Sequence, residues 1–235
     1  HPVIMSTTEE RNNNKDNEMI QSAFQDKLTQ LRANNCEELL TSELAILTRT
    51  IARLRRDKMH THCLQVGETV PDFEFIDANN VNRKLYEVLE SGPVILNFFR
   101  GFWCPYCETE IEAYENIQAE LTRLGCAYFA ISPQQPQTAS EQSESYKVIF
   151  DRDNKIARDF GIVYELEQLE RNLFESWGLM LDKVNGSDGR ELPVPATFIV
   201  CKDRTIGFEY VDVDFRARCC PEQLIEELKS FCDYR

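Results

Sequence analysis

The 235-residue sequence contains no apolar run that approaches the about 18 residues of a membrane span. It has no excess of basic residues either: 26 Lys and Arg stand against 40 Asp and Glu, which gives a net charge of −14. Because a surface that binds nucleic acid needs clustered positive charge, this balance argues against nucleic-acid partners. The first residues are polar and acidic, unlike the apolar core of a secretory signal. We therefore expect a cytoplasmic protein that has neither a membrane nor a nucleic acid as a partner.

Patterns that hold organic cofactors are also missing. We find no glycine-rich GxGxxG segment, no P-loop and only one CxxC motif. The nine cysteines are an odd number and fall below the density of a disulfide-bonded scaffold, while 42% hydrophobic residues suffice for a core. These observations predict a reducing compartment and chemistry without an organic cofactor.

Hydrophobic periodicity divides the chain into three parts. Residues 1–17 are polar and predict a disordered tail, and residues 18–63 have a helical pattern that we expect Asn34-Asn35 to interrupt. From Leu40 to Leu54 leucine and isoleucine recur at steps of four and three residues. This stripe fits a helix that packs on the domain behind it, and it also fits a short heptad seam that would form a homodimer.

The third part, residues 64–235, alternates strands with helices and then forms a hairpin and a last helix. The buried strand Val94–Phe99 precedes a long amphipathic helix predicted over Pro105–Leu124. The hairpin is predicted from Phe198 to Val211. This order predicts an α/β domain with a mixed central sheet covered by helices.

The strongest chemical signal is Cys104-Pro105-Tyr106-Cys107, placed directly between that strand and helix. Cys104 is predicted at the helix N-cap and Pro105 in the first turn, where a missing N–H costs nothing. The free backbone N–H groups and the positive end of the helix dipole then favour the Cys104 thiolate. Cys107 lies one turn further on the same face and can close a disulfide with Cys104. We predict Cys104 as the attacking thiol and Cys107 as the resolving thiol, with Trp103 beside them limiting solvent.

The alternative for a CxxC motif is half of a zinc site. Zinc needs two further ligands, and the only other His/Cys cluster is His60, His62 and Cys63 in a predicted connector. The position of the CxxC motif favours redox chemistry over zinc.

Four segments carry a resemblance to a known family. They are the stretches VGETVPDF from Val66, NFFRGFWCPYC from Asn97, AISPQ from Ala130 and ELPVPATF from Glu191. In this order they resemble the peroxiredoxin-like branch of the alkyl hydroperoxide reductase/thiol-specific antioxidant superfamily, over about residues 64–231. The resemblance implies a thioredoxin-like fold with an N-terminal helical extension.

The resemblance also implies roles for individual residues. The peroxide-attacking position falls on Cys104 and its CxxC partner on Cys107. A proline that thioredoxin folds hold in the cis form against the active site falls on Pro195. The arginine that peroxiredoxins hold near the attacking sulfur falls on Arg218, and Arg100 of the signature shares that role.

One departure from the family pattern bears on the activity. Peroxiredoxins carry a hydroxyl residue three positions before the attacking cysteine, and Gly101 stands there. We therefore expect a thiol-dependent redox enzyme that reduces a hydroperoxide, with two alternatives: a thioredoxin-like protein disulfide oxidoreductase and a non-catalytic redox sensor. The expected partners are the hydroperoxide or disulfide substrate and an external dithiol such as a thioredoxin or glutathione system.

Overall fold

The computed structural model describes residues 8–77, 79–138 and 148–232. The helices are α1 (Thr8–Glu38), α2 (Thr41–Arg56), α3 (Leu85–Leu89), α4 (Pro105–Glu115), α5 (Gln118–Arg123), α6 (Lys155–Asp159), α7 (Gln168–Ser176), α8 (Leu181–Asn185) and α9 (Pro221–Cys232). The strands are β1 (Glu74–Ile76), β2 (Asn82–Lys84), β3 (Val94–Phe98), β4 (Ala127–Ser132), β5 (Val148–Phe150), β6 (Val163–Glu165), β7 (Glu191–Pro193), β8 (Ala196–Val200) and β9 (Ile206–Val211).

Five strands form the central sheet in the order β5-β4-β3-β8-β9. β3 pairs in parallel with β4 and antiparallel with β8, and the β8–β9 hairpin completes one edge. The sheet is therefore mixed, as the alternating pattern followed by a hairpin predicts. β3 lies in its centre and is buried along its whole length, so the loop that follows β3 starts from a rigid support.

The side chains of β3 alternate between two hydrophobic layers, as expected for a strand covered on both faces. Val94, Leu96 and Phe98 join a layer that includes α2, α6 and α7 residues. Ile95 joins the other layer, which contains α4, α9 and both cysteines of the CxxC motif.

The N-terminal extension differs from the expectation in two ways. α1 begins at Thr8, so the tail predicted as disordered over residues 1–17 is helical from that point, and residues 1–7 lie outside the described part. α1 also continues through Asn34-Asn35, and the break between the helices comes at Leu39–Leu40. Phe24 of α1 is buried against the layer that holds the CxxC motif, and this tertiary contact stabilises the helix that the apolar pattern predicts from residue 18.

The apolar stripe of α2 packs on the domain of the same chain. Leu47, Ile51 and Leu54 are buried in the layer shared with α6 and α7, whereas Leu40 at the start of the stripe is exposed. The intramolecular interpretation of this stripe accounts for these contacts, and a homodimer stays a prediction.

Candidate active site

Cys104 is the N-cap of α4, and Pro105 occupies its first turn. The Cys104 carbonyl accepts hydrogen bonds from the backbone N–H groups of Cys107 at 2.9 Å and Glu108 at 3.1 Å. The sequence-based prediction of this helix start is confirmed. The predicted helix to Leu124 is interrupted, because α4 ends at Glu115 and α5 begins at Gln118.

Gly101 allows the turn between β3 and α4. Its φ is +153°, and a Cβ there would lie 2.3 Å from Nε1 of Trp103. A larger residue, including one that carries a hydroxyl, would therefore strain the turn and displace Trp103. The loop is built without a hydroxyl at this position.

The two thiols of the motif are buried and hydrogen-bonded to each other. Cys104 is 2% exposed and Cys107 is 0% exposed. Burial alone would raise the pKa of Cys104, but the hydrogen bond from the Cys107 thiol and the positive charges of Arg100 and Arg218 outweigh it. The pKa of Cys104 is therefore well below its usual value, and this thiol is the one set up to act as the nucleophile.

Arg100 supplies the closest positive charge to Cys104. Its Nη2 donates to the Cys104 Sγ at 3.2 Å. Its guanidinium carbon lies 5.0 Å from the ring centroid of Trp103 and 4.2 Å from that of Phe215. The aromatic faces stabilise the buried cation and fix its position against the sulfur.

Arg218 makes the equivalent contact with the other sulfur. Its Nη2 donates to the Cys107 Sγ at 3.2 Å, and its Nη1 forms a 2.6 Å ion pair with the Glu110 carboxylate. The resemblance places this arginine near the attacking sulfur. In the structure its hydrogen bond goes to Cys107, and Arg100 makes the direct contact with Cys104.

Cys107 keeps its proton more strongly than Cys104. Burial and the hydrogen bond that it donates to Cys104 raise the pKa of Cys107 well above its usual value, against the opposing charge of Arg218. Burial also raises the pKa of Glu110, although Arg218 opposes this shift. The resolving position is therefore a neutral thiol beside a paired arginine.

A cavity of about 390 Å³ opens next to Cys104. Its walls come from the N-terminal extension, the CxxC loop, α7 with the turn that follows, and the segment before α9. They are formed by Asn35, Leu39, Leu47, Arg100, Trp103, Cys104, Pro105, Tyr106, Phe174, Trp177, Gly178, Leu179 and Phe215. Cys107 and Arg218 do not line this cavity, so a molecule that enters it meets Cys104 first.

Trp103 lies in the wall of the cavity, as its predicted place beside the thiols requires. Its ring packs on Phe174 with the centroids 5.6 Å apart. Tyr106 also lines the cavity, and its hydroxyl accepts a hydrogen bond from Nδ2 of Asn35 at 3.1 Å. This bond ties α1 of the extension to the CxxC loop.

The cis form predicted for Pro195 is wrong. No described residue has a cis peptide bond. Pro195 lies in the two-residue connection between β7 and β8. The backbone N–H of Val194 donates to the Ile162 carbonyl at 2.7 Å, which ties this connection to the segment between α6 and β6. The trans form is the one that an X–Pro bond favours by about 0.5–1 kcal/mol. Pro195 does not line the cavity at Cys104.

The zinc alternative gains no support from the described part of the chain. Within it, no three His, Cys, Asp or Glu side chains are grouped so that they could hold a metal ion. The Cys63 thiol donates instead to the His60 carbonyl at 3.0 Å.

In the described part of the chain, no helix has the length and apolar character needed to cross a membrane.

Sequence analysis missed Glu110, Tyr164 and Glu170, three buried residues whose groups lie around the two arginines. A signal for Glu110 exists, because it follows Cys107 by three residues and precedes Tyr114 by four on the buried face of α4. Tyr164 and Glu170 come from distant segments, and no local pattern points to them.

Comparisons with known proteins agree on one family. The model of the AhpC/TSA family matches residues 66–208. A protein named as a peroxiredoxin of Mycobacterium tuberculosis is 27% identical over 103 residues, which are 42% of this chain and 67% of the relative. The thiol-disulfide oxidoreductase ResA of Geobacillus thermodenitrificans is 26% identical over 102 residues, 41% of this chain and 58% of that protein.

Solved structures give the same fold. The peroxidoxin BcpB of M. tuberculosis superposes with a TM-score of 0.53 at 21% identity, covering 71% of this chain and 97% of that one. A cysteine-to-serine mutant of the peroxiredoxin 6 of Arenicola marina gives a TM-score of 0.56 at 18% identity and covers 72% and 73%. These neighbours establish the thioredoxin-like fold. The chain belongs to the AhpC/TSA family and is a thiol-dependent oxidoreductase.

Proposed function

We propose that this protein reduces hydroperoxides with Cys104 as the attacking thiolate and Cys107 as the resolving thiol. The observation that carries the proposal is the position of Cys104. Its sulfur lies in the wall of the cavity, 3.2 Å from a guanidinium nitrogen of Arg100, while Cys107 lies behind it and out of the cavity. An incoming oxidant therefore meets the ionised sulfur, and the neutral thiol is held in reserve.

In the first step the Cys104 thiolate attacks the terminal oxygen of the hydroperoxide. A sulfur–oxygen bond forms, the oxygen–oxygen bond breaks, and the alkoxide that leaves takes a proton from water and becomes an alcohol. Sulfur loses two electrons and becomes a sulfenic acid. The N–H groups of Arg100 are placed to stabilise negative charge on the oxygen that leaves.

In the second step the Cys107 sulfur attacks the sulfenic acid of Cys104. A disulfide forms, the sulfur–oxygen bond breaks, and the hydroxyl leaves as water with the proton of the Cys107 thiol. The hydrogen bond between the two thiols in the reduced state already holds the sulfurs within reach. Arg218 stabilises negative charge as it develops on Cys107.

The walls of the cavity favour an organic hydroperoxide over hydrogen peroxide. Most lining side chains are apolar, and Arg100 is the one cation among the described residues that line it. A volume of about 390 Å³ falls in the range of small-molecule sites, about 300–1,000 Å³. An apolar group on the substrate would pack on Leu39, Leu47 and Phe174 while the peroxide meets Cys104.

A single-turnover experiment with the Cys107→Ser variant tests this function. One equivalent of cumene hydroperoxide should be consumed per chain, and a cyclic 1,3-diketone should label the sulfenic acid at Cys104. The Cys104→Ser variant is the matched control and should consume none. If Cys107→Ser neither consumes peroxide nor gains the label, peroxide reduction is not the function.

Protein disulfide reduction is the second candidate, and the Gly101 turn favours it. The turn has no place for the hydroxyl that peroxiredoxins position near the peroxide. In this case the Cys104 thiolate attacks a substrate disulfide, and Cys107 then displaces the reduced product from the mixed disulfide. Cys107→Ser would accumulate a mixed disulfide with a protein substrate and no sulfenic acid. The third alternative is a redox sensor. Slow turnover of the parent protein with every reductant, together with a stable oxidation-dependent complex with a partner protein, would indicate it.

We further propose that an external dithiol of the thioredoxin or glutathione type regenerates the thiols, in the cytoplasm. The eight cysteines whose side chains the structure describes form no disulfide with one another, which suits a reducing compartment. Turnover supported by thioredoxin with its reductase, compared with glutathione and glutaredoxin, distinguishes the two reductants.

A further inference from the structure

A buried carboxylate interacts electrostatically with Arg100. Glu170 of α7 is 2% exposed, and its Oε1 accepts a hydrogen bond from the Tyr164 hydroxyl at 3.4 Å. The same hydroxyl lies next to the Arg100 guanidinium, whose charge acts on it. The chain of contacts therefore runs from the attacking sulfur through Arg100 and Tyr164 to Glu170.

α2 of the N-terminal extension also contacts Glu170. The hydroxyl of Thr50, a buried residue of α2, lies against the Glu170 carboxylate. The charged groups that face Glu170 are Arg100 and, from α2, Arg53. Those that face Cys104 are Arg100, Arg218 and the Cys107 thiol, with the Tyr106 hydroxyl nearby. Each arginine of the site thus has one sulfur and one buried carboxylate.

A buried guanidinium needs a negative partner, because an uncompensated charge in the interior is costly. In the reduced protein the Cys104 thiolate provides that partner at 3.2 Å. Once Cys104 is a sulfenic acid or a disulfide it carries no charge, and Arg100 loses this partner. Glu170 is then the carboxylate that still faces Arg100.

We propose that Tyr164 and Glu170 are positioning residues for Arg100. Tyr164 holds the guanidinium against the Cys104 sulfur, and Glu170 balances its charge in the states in which Cys104 is neutral. The inference rests on Cys104 as the reactive thiol of the proposed function. It adds a consequence: Glu170 and the Cys104 thiolate compete for the same cation, so the two variants below should act in opposite directions.

The test is the pH dependence of Cys104 alkylation in the reduced protein, followed by mass spectrometry of the peptide. Glu170→Gln keeps the shape and the acceptor for Tyr164 but removes the competing charge, so the midpoint should fall by ~0.5–1 pH unit. Tyr164→Phe removes the hydroxyl that holds Arg100, so the midpoint should rise towards the usual thiol value of about 8.5.

Glu175→Gln is the matched control, because Glu175 lies on the same helix, five residues after Glu170, and its side chain is exposed. Its midpoint should equal that of the parent protein. The two test variants are independent measurements, so a folding failure in one leaves the other. An unchanged midpoint of Cys104 alkylation in a folded variant removes the role assigned to that residue. If both variants shift the midpoint in the same direction, Glu170 and the Cys104 thiolate do not compete for Arg100.

This experiment separates the inference from the proposed function, because alkylation needs no peroxide. If the parent protein does not reduce peroxides but the midpoints move as expected, the function fails and the positioning roles stand. If peroxide is reduced and the midpoints do not move, the function stands and the positioning roles fail.

Discussion

Each sulfur of the CxxC motif accepts a hydrogen bond from its own arginine, in both cases from Nη2 at 3.2 Å. The two arginines have different surroundings. Arg100 is stacked on aromatic rings, and its positive charge is available to Cys104. Arg218 is held by Glu110 in a 2.6 Å ion pair, and its charge does not outweigh the burial of Cys107 and the hydrogen bond that Cys107 donates to Cys104. The comparison teaches that an arginine beside a thiol does not by itself lower the pKa of the thiol. Burial and the direction of the hydrogen bond between the two thiols also decide it.

Access differs in the same direction. The apolar cavity reaches Cys104 and not Cys107. The thiol with the lowered pKa is therefore the one that a substrate meets, and the thiol with the raised pKa is sealed behind it. Four predictions test how far this difference extends.

The largest effect is expected from breaking the ion pair on the Cys107 side. Arg218→Met leaves the buried Glu110 carboxylate without its cationic partner, which typically costs about 3–5 kcal/mol. Urea unfolding of the reduced protein measures this loss. The double variant Arg218→Met/Glu110→Leu should recover most of it, because both charges of the ion pair are then removed together.

The control for this prediction is Arg158→Met, which breaks an exposed pair with Glu191. It should change the free energy of unfolding by no more than about 1 kcal/mol. An Arg218→Met variant as stable as this control would mean that the ion pair does not support the fold.

The second effect concerns the reactivity of Cys104. Arg100→Met removes a charged hydrogen-bond donor, worth about 1.5–3 kcal/mol, so the alkylation rate of Cys104 near pH 7 should fall roughly 10- to 100-fold. Arg216→Met is the control, because Arg216 pairs with Asp214 and makes no hydrogen bond to either sulfur. Equal rates in the Arg100→Met variant and the parent protein would contradict the assignment of Arg100 to this sulfur.

The third prediction is the pH dependence of folding stability. Because the pKa of Cys104 is lower in the folded state, its contribution should be present in full above the usual thiol pKa and be lost as the pH falls through the folded value. Each unit of difference corresponds to about 1.4 kcal/mol. The raised pKa of Cys107 acts oppositely: its contribution should decline above the usual thiol pKa.

Unfolding of the parent protein and of the two single Cys→Ser variants at several pH values checks these signs. The free energy of unfolding of the parent protein minus that of Cys104→Ser should rise with pH below the usual thiol pKa. The free energy of unfolding of the parent protein minus that of Cys107→Ser should fall with pH above the usual thiol pKa. Two differences with the same sign would contradict the comparison.

The smallest effect is expected in the cavity wall. Leu39→Ala shortens a side chain that lines the cavity, so the KM for cumene hydroperoxide should rise about three- to tenfold with little change for hydrogen peroxide. The neighbouring Leu40 is 67% exposed and does not line the cavity. Leu40→Ala should leave both constants unchanged, and an equal rise in both variants would mean that the cavity does not select the substrate.

Local chemistry in the sequence is enough to predict the Cys104 side of the comparison. The strand, the CxxC motif and Pro105 specify a helix N-cap through interactions between neighbours in the chain, and the structure has it at that place. The sheet is predictable for the same reason, because alternating elements and a hairpin limit the topologies available.

The arginine partners are not predictable, since they depend on tertiary packing. Nothing near Arg218 in the sequence shows that α4 brings Cys107 and Glu110 to it. Likewise, Leu39 and Leu47 belong to a helical pattern that predicts an apolar face but not the cavity that this face lines. The cis form of Pro195 rests on resemblance alone, and the peptide bond before Pro195 is trans.

The central claim is that the two thiols of one motif differ in ionisation because Cys107 donates its hydrogen bond to Cys104, whose sulfur Arg100 also contacts. Alkylation of the reduced protein over a range of pH, with each cysteine quantified separately by mass spectrometry, tests it most directly. The account predicts that Cys104 reaches half of its maximal rate clearly below pH of about 8.5 and that Cys107 does so clearly above it. A shared midpoint, or an earlier midpoint for Cys107, would contradict it.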